Sequence, residues 1–186
     1  MKQKVLIRVL LGLLLLSAIL CGTVFALMFH QTELYENRLE AARVSCVVHE
    51  KMDGGTETTT GVALGEKKTS IKVQNTGNIS AYIRLRFVTY WVDLNGNIIG
   101  KPSEMPEISI TSWWQKGSDG NYYYKTPVAP GEFTEALLSA PIELQADLDH
   151  AHYQVVEVFA DAIQSQPTAA VTESWGVTID GDGKIA

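Results

Sequence analysis

The sequence predicts an all-β protein, an antiparallel two-sheet sandwich of jelly-roll or immunoglobulin-like type, following an N-terminal signal or anchor helix. Three observations predict it. Apolar and polar residues alternate from Ala81 to Val92, short apolar runs elsewhere are separated by Gly, Pro and Asn turns, and only one stretch of the body, after Pro167, has helical composition.

The N-terminus comes first. Lys2, Lys4 and Arg8 precede an uncharged apolar run from Val9 to Phe29, with His30 just beyond. Basic residues followed by such a run form an export signal that keeps its positive end inside. Val24-Phe25-Ala26 offers Ala26 as a cleavage position, and the run is also long enough to span a bilayer, so a cleaved signal peptide and an uncleaved anchor are both open. Residues 1–29 are therefore a signal peptide or signal anchor. Residues 30–42 form a polar linker or short helix, with Leu34, Tyr35 and Leu39 loosely on one side. The domain proper spans 43–180, and 181–186 is a tail of turn residues.

The chain carries 15 Lys and Arg against 21 Asp and Glu. Setting aside the basic residues of the leader leaves about nine net negative charges, which argues against nucleic acid as a partner. Cys21 lies in the apolar run, so Cys46 is alone in the exported part and no disulfide forms within it. A core and long strands must supply the stability there, which fits a bacterial surface.

Along the body, Arg43 to His49 alternates and reads as the first strand. Asp53 to Gly61 is rich in Gly and Thr, has little to bury, and reads as a mobile loop. Ser70 to Gln74 is a strand closed by Asn75-Thr76-Gly77-Asn78, a turn in which Gly77 can take positive φ. Within 81–92, Ala81, Ile83, Leu85, Phe87 and Trp91 share one face, each large side chain worth about 1.5–3 kcal/mol on burial, so the register is tightly fixed. Asp93 to Asn97 is a hairpin turn with Ile98-Ile99 as its return. Ile108 to Ile110 resumes alternation into Trp113-Trp114, and 117–121 turns into Tyr122-Tyr123-Tyr124. Phe133 to Leu144 is strand material. Tyr153 to Ile163 is apolar with few breaks, the pattern of a central strand covered on both faces. Ala169 to Trp175 suggests a short helix stopped by Gly176, then a last strand at 177–179.

Val73-Gln74-Asn75-Thr76-Gly77-Asn78, Tyr82-Ile83-Arg84, Trp91 to Asn97, Tyr122 to Lys125, Val128 to Glu132 and Trp175-Gly176-Val177 together resemble the TasA/camelysin-like exported proteins of Gram-positive bacteria, over about Arg43 to Ile179. The resemblance implies a jelly-roll or immunoglobulin-like sandwich, release by a specialised signal peptidase, and assembly into extracellular fibres of the biofilm matrix. The long polar linker before Val44 departs from that pattern.

Camelysin-like proteins have been classed as metallopeptidases, yet the sequence holds no His-Glu-x-x-His helix to set two imidazoles and a base together. His150 and His152, near Asp147 and Asp149, are weak metal candidates set against a plain polar turn. Glu157 and Asp161 share a face, where carboxylates more often pair with arginines such as Arg84 or Arg86. Cys46 in an apolar strand reads as an inert core thiol. Neither a catalytic residue nor a cofactor is expected. Trp113, Trp114, Tyr122, Tyr123 and Tyr124 cluster around one hairpin, and strand alternation sends half outward, so Trp113, Trp114, Tyr122 and Tyr124 are the candidate binding patch. The bland alternative puts Trp113 and Tyr123 in the core, with the others along a sheet edge. These readings converge on a non-enzymatic surface or matrix protein that pairs with like subunits or related matrix proteins. A cell-wall or host glycan-binding module is the alternative, and a metallopeptidase the third.

Overall fold

A Leu-rich stretch with no proline before Pro102 carries one helix, α1 (Lys2–Glu33), through the apolar N-terminal run and past residue 29, the expected end of the leader. The computed structural model describes residues 2–33, 41–59, 67–146 and 151–186, and within α1 the side chains of 3, 5, 7, 8 and 10–26. The helix belongs to one unit, residues 1–41, and the rest to a second, 42–186. Every α1 side chain from Leu10 to Ala26 is exposed. The Ser17 and Thr23 hydroxyls donate back to the carbonyls of Leu14 and Leu20, both at 2.9 Å, so the polar groups of this stretch are satisfied within the helix. Among the described residues no helix is long and apolar enough to cross a membrane.

The second unit contains nine strands among the described residues: β1 (Cys46–Met52), β2 (Glu57–Thr58), β3 (Lys67–Asn75), β4 (Ala81–Asp93), β5 (Ile98–Ile99), β6 (Trp114–Lys116), β7 (Tyr122–Tyr124), β8 (Ile142–Glu143) and β9 (His152–Gln164), followed by the helix α2 (Thr168–Trp175). They form two antiparallel sheets. One has the order β2-β1-β3-β8. In the other, β4 pairs with β9 along one side from Ala81↔Gln164 to Asp93↔His152, and with β7 and β5 along its other side, β6 lying beyond β7.

The predicted alternation of β4 sets the packing. Ile83 and Leu85 meet Ile71 and Val73 of the opposite sheet, and Trp114, Tyr122, Leu137 and Ile142 complete that core. A second, smaller cluster lies on the other side of β4, where Tyr82, Tyr123, Val171 and Ile185 pack with Trp175. Asn75, fully buried, ties the pieces together. Its Nδ2 donates to the carbonyls of Ile79 (2.9 Å) and Val128 (2.8 Å), while its Oδ1 accepts from Gly77 N at 2.9 Å.

Several expectations change. Residues 108–110 and 133–144 supply the isolated bridges Ile110↔Leu138 and Gln74↔Phe133 and the two-residue β8 in place of full strands, because Pro102, Pro106, Pro127, Pro130 and Pro141 interrupt laddering around them. Part of the expected loop at 53–61 instead pairs through β2 with β1, and 60 and 61 lie outside the described residues. Gly77 has no positive φ. Its lack of a Cβ is needed because the Arg43 carbonyl and Ser45 N come too close for one. The end of the chain is no tail: Ile179 bridges Ile185, and Ile185 is buried, since the Asp180 turn doubles the chain back.

Candidate functional site

Among the described residues β9, expected in the middle of a sheet, pairs with one strand, β4, and has only the bridge of Tyr153 to Ala146 on its other side. In a strand, successive residues send their N–H and C=O groups to opposite sides. Odd-numbered β9 residues face β4, since Gln154 N donates away to Gln145 O (2.8 Å) and the carbonyls of Val156 and Ala160 take side-chain donors. Among the described residues, Val158 and Ala162 on that outer row have no backbone partner. A continuous apolar run reads as a central strand, but here it reflects two faces of unequal burial. Val156, Val158, Ala160 and Ala162 pack inward, while Phe159 on the outer face is 38% exposed.

Side chains of the opposite sheet close part of this edge. Lys68 is 3% exposed, and its Nζ donates to Val156 O at 2.6 Å and to Glu50 Oε1 at 2.8 Å. Cys46 Sγ donates to Ala160 O at 3.8 Å. Burial, with the negative charge of Asp161 adding to it, pushes the Cys46 thiol up to about 11, as suits an inert core residue. Sequence reading misses Lys68, because counting back by twos from Val73 and Ile71 sends it outward. A bulge reverses the count: Lys51 pairs Ser70 while Met52 pairs Lys68, so Thr69 is the extra residue.

On the outer face of β4 and β9, Arg84 Nε donates to Asp161 Oδ2 at 3.0 Å, directly across the ladder. Burial works against the Arg84 charge, yet its bonds to Asp161 and to Tyr123 raise its pKa above the ordinary arginine value. Two residues along the same face, the Arg86 guanidinium lies 5.4 Å from the Phe159 ring centre. Val88 is exposed opposite Glu157, and burial and that carboxylate raise the pKa of Tyr90. This face therefore offers an exposed apolar pair, Val88 and Phe159, beside a cation and a carboxylate.

The aromatic patch is not a surface. Trp114, Tyr122 and Tyr124 are buried, and only Trp113 is exposed, at 51%. Alternation holds, but both sides of the hairpin are covered. Tyr122, Tyr124 and Trp114 lie in the main core, the Trp114 Nε1 donating to Glu135 O at 2.9 Å, while Tyr123 points the other way under Trp175. The alternative that places Trp113 and Tyr123 in the core holds for Tyr123 and fails for Trp113, which sits in the turn before β6.

His152 lies partly buried across from Asp93, and His150, Asp147 and Asp149 lie outside the described residues. Among the described residues no three His, Cys, Asp or Glu side chains converge on a metal site. His49 Nδ1 stands 3.6 Å from Glu57 Oε1, its ring lies against Phe133, and its buried Nε2 has no partner among them. Ala26 is exposed within α1. Set against known proteins, this chain matches no family model, no curated protein and no solved structure.

Proposed function

We propose that this chain is an exported, non-enzymatic surface or matrix protein, a sandwich of jelly-roll or immunoglobulin-like type that associates with like subunits by strand addition along β9. One observation carries the reading. A 13-residue strand is laddered along one side, and on its other side, beyond the bridge of Tyr153 to Ala146, the backbone groups of Val158 and Ala162 have no partner among the described residues. Such a row is a template for another strand, whose main-chain hydrogen bonds would supply affinity. The exposed Phe159 borders it and would pack against the incoming chain.

The basic residues and apolar run at the N-terminus support export, and the likeness of the Asn75-Thr76-Gly77 and Trp175-Gly176-Val177 segments to TasA/camelysin-like proteins supports the surface assignment. Sedimentation and electron microscopy of the purified chain test the assembly. Oligomers or fibres that grow with concentration are expected. Protein that stays monomeric at every concentration would sink the proposal. N-terminal sequencing of the native protein tests the export step: a start at Leu27 means cleavage after Ala26, and an intact Met1 in the membrane fraction means an anchor. Recovery of the native protein from the cytosol contradicts both.

A further inference from the structure

A groove of about 450 Å³ lies where the β6–β7 hairpin meets the end of α2, lined by Gln115, Ser118 and Asp119 on one side and Trp175, Val177 and Thr178 on the other. Its walls are held in place. The Tyr123 hydroxyl donates to Asp119 Oδ2 at 2.6 Å, and Asn121 donates to both oxygens of the same carboxylate, from its N at 3.1 Å and its Nδ2 at 2.6 Å. Gly117 is required here, because a Cβ would meet Asp119 Oδ1 at 2.6 Å and Tyr123 Cε2 at 2.7 Å. Trp175 leans on Tyr123 with ring centres 5.7 Å apart, and Arg84, itself pinned by Asp161, sits 4.9 Å from the indole centre. A site clamped in this way loses little freedom when something binds.

The chemistry of the lining narrows the ligand. Trp175 and Val177 give an apolar wall, while the amide of Gln115, the hydroxyls of Ser118 and Thr178 and the carboxylate of Asp119 give acceptors and donors at close quarters. An organic cation seeking the indole would be repelled by the charges of Arg84, which lies 4.9 Å from the ring centre, and of Lys116, which lines the same groove. An anion would meet the Asp119 carboxylate. Burial opposes its charge, but its donors outweigh that and hold its pKa below the ordinary value. A sugar ring fits both demands, with an apolar C–H face for the wall and a rim of hydroxyls that donate and accept. At this volume there is room for about two rings.

We propose that this groove binds a neutral saccharide, packed against Trp175 with its hydroxyls on Asp119 and Gln115. The site is separate from the edge of β9 and does not depend on association through it.

The test is titration of the whole chain with cellobiose, maltose, lactose and di-N-acetylchitobiose, followed by tryptophan fluorescence and saturation-transfer NMR. Saturable binding of at least one sugar is expected, with a Kd of about 1 mM or tighter. Gln115→Ala, which spares the clamp around Trp175, should weaken it about tenfold. Trp175→Phe should keep part of the affinity, and Trp113→Ala all of it. The proposal is overturned if none of these sugars binds, or if the folded Gln115→Ala and Trp175→Phe variants bind as well as the parent.

Discussion

The ammonium of Lys68 lies 2.6 Å from the carbonyl oxygen of Val156, so a side chain of one sheet occupies a hydrogen-bonding position that a neighbouring strand would otherwise fill in the other. The contact has two consequences of opposite sign. Lys68→Met leaves Glu50, whose side chain is 13% exposed, without its cation, and breaking a buried pair costs about 3–5 kcal/mol, an upper bound here. The double variant Lys68→Met/Glu50→Leu removes both charges and should recover most of that loss, while freeing the Val156 carbonyl for another chain. Urea unfolding should therefore rank the double variant above the single one, and sedimentation should show it associating more than the parent. Equal midpoints for single and double variants would mean the pair is not what burial implies.

Association along β9 predicts a particular pattern among edge substitutions. Val158→Pro removes an outward N–H while leaving the bonds to β4, which odd-numbered residues make. Phe159→Lys keeps every backbone group and places a charge on the exposed flank, the device by which natural edges are protected. Both variants should sediment as monomers under conditions where the parent assembles, with melting temperatures measured alongside. If both fold and still assemble like the parent, the interface lies elsewhere.

Trp113 and Trp114 are neighbours in sequence and opposites in environment, so they separate a structural role from a surface one. Trp114→Ala empties a core site and should cost about 3–5 kcal/mol. Trp113→Ala, in an exposed turn, should stay within about 0.5 kcal/mol of the parent. A comparison of denaturant midpoints checks both values. A large loss at Trp113 with none at Trp114 would contradict the packing.

Much of this fold is legible because hydrophobic period two is a local signal. β4 and the Ile98-Ile99 return fall where alternation and the Asn95-Gly96 turn put them, and Gly176 ends α2 in the left-handed conformation as a stop signal should. What stays hidden is non-local. Neither the bulge at Thr69 nor the partner that buries Lys68 is written in the flanking residues, and the covering of the Tyr122–Tyr124 hairpin comes from α2 and from residues 128–142. The position of β9 at an edge is equally invisible, since burial on one face and half-burial on the other give nearly the same composition as burial on both. The groove at Trp175 joins segments about sixty residues apart, and no motif spans them.

Cys46 connects packing to pH. Its thiol, ordinarily at 9.0, is raised to about 11 by burial and then by the charge of Asp161. Between those values the folded chain keeps a proton that the unfolded chain has released. Its contribution to stability is thus complete below pH 9.0 and is lost as the pH rises towards about 11. Tyrosines with raised pKa titrate nearby, so the measurable quantity is the difference between the parent and Cys46→Ala, followed by urea midpoints across that range. The parent should lose stability more steeply. In a Cys21→Ser background, native Cys46 should also resist iodoacetamide at neutral pH and react once denaturant is added, and rapid labelling of that folded chain would contradict the burial.

Two glycines test two different reasons for lacking a side chain. Gly96 turns the β4–β5 hairpin at φ +81°, with open space where a Cβ would go. Gly96→Ala should cost about 1–2 kcal/mol through backbone conformation alone, and Gly96→Asn less, because asparagine tolerates that region. Gly77 has no positive φ and no room for a Cβ. An added Cβ would fall 3.2 Å from Ser45 N and closer still to the Arg43 carbonyl, which accepts from Asn78 N at 3.0 Å. Overpacking of this kind costs about 1–3 kcal/mol, and asparagine offers no relief because the obstacle is space. Gly77→Ala should also loosen residues 43–45 from the end of β3, seen as faster amide exchange at Thr76, Gly77 and Asn78, whose N–H groups all bond there. If Gly77→Asn is as stable as the parent, or amide exchange at these positions is unchanged in Gly77→Ala, then the close approach of residues 43–45 is not what excludes a side chain at Gly77.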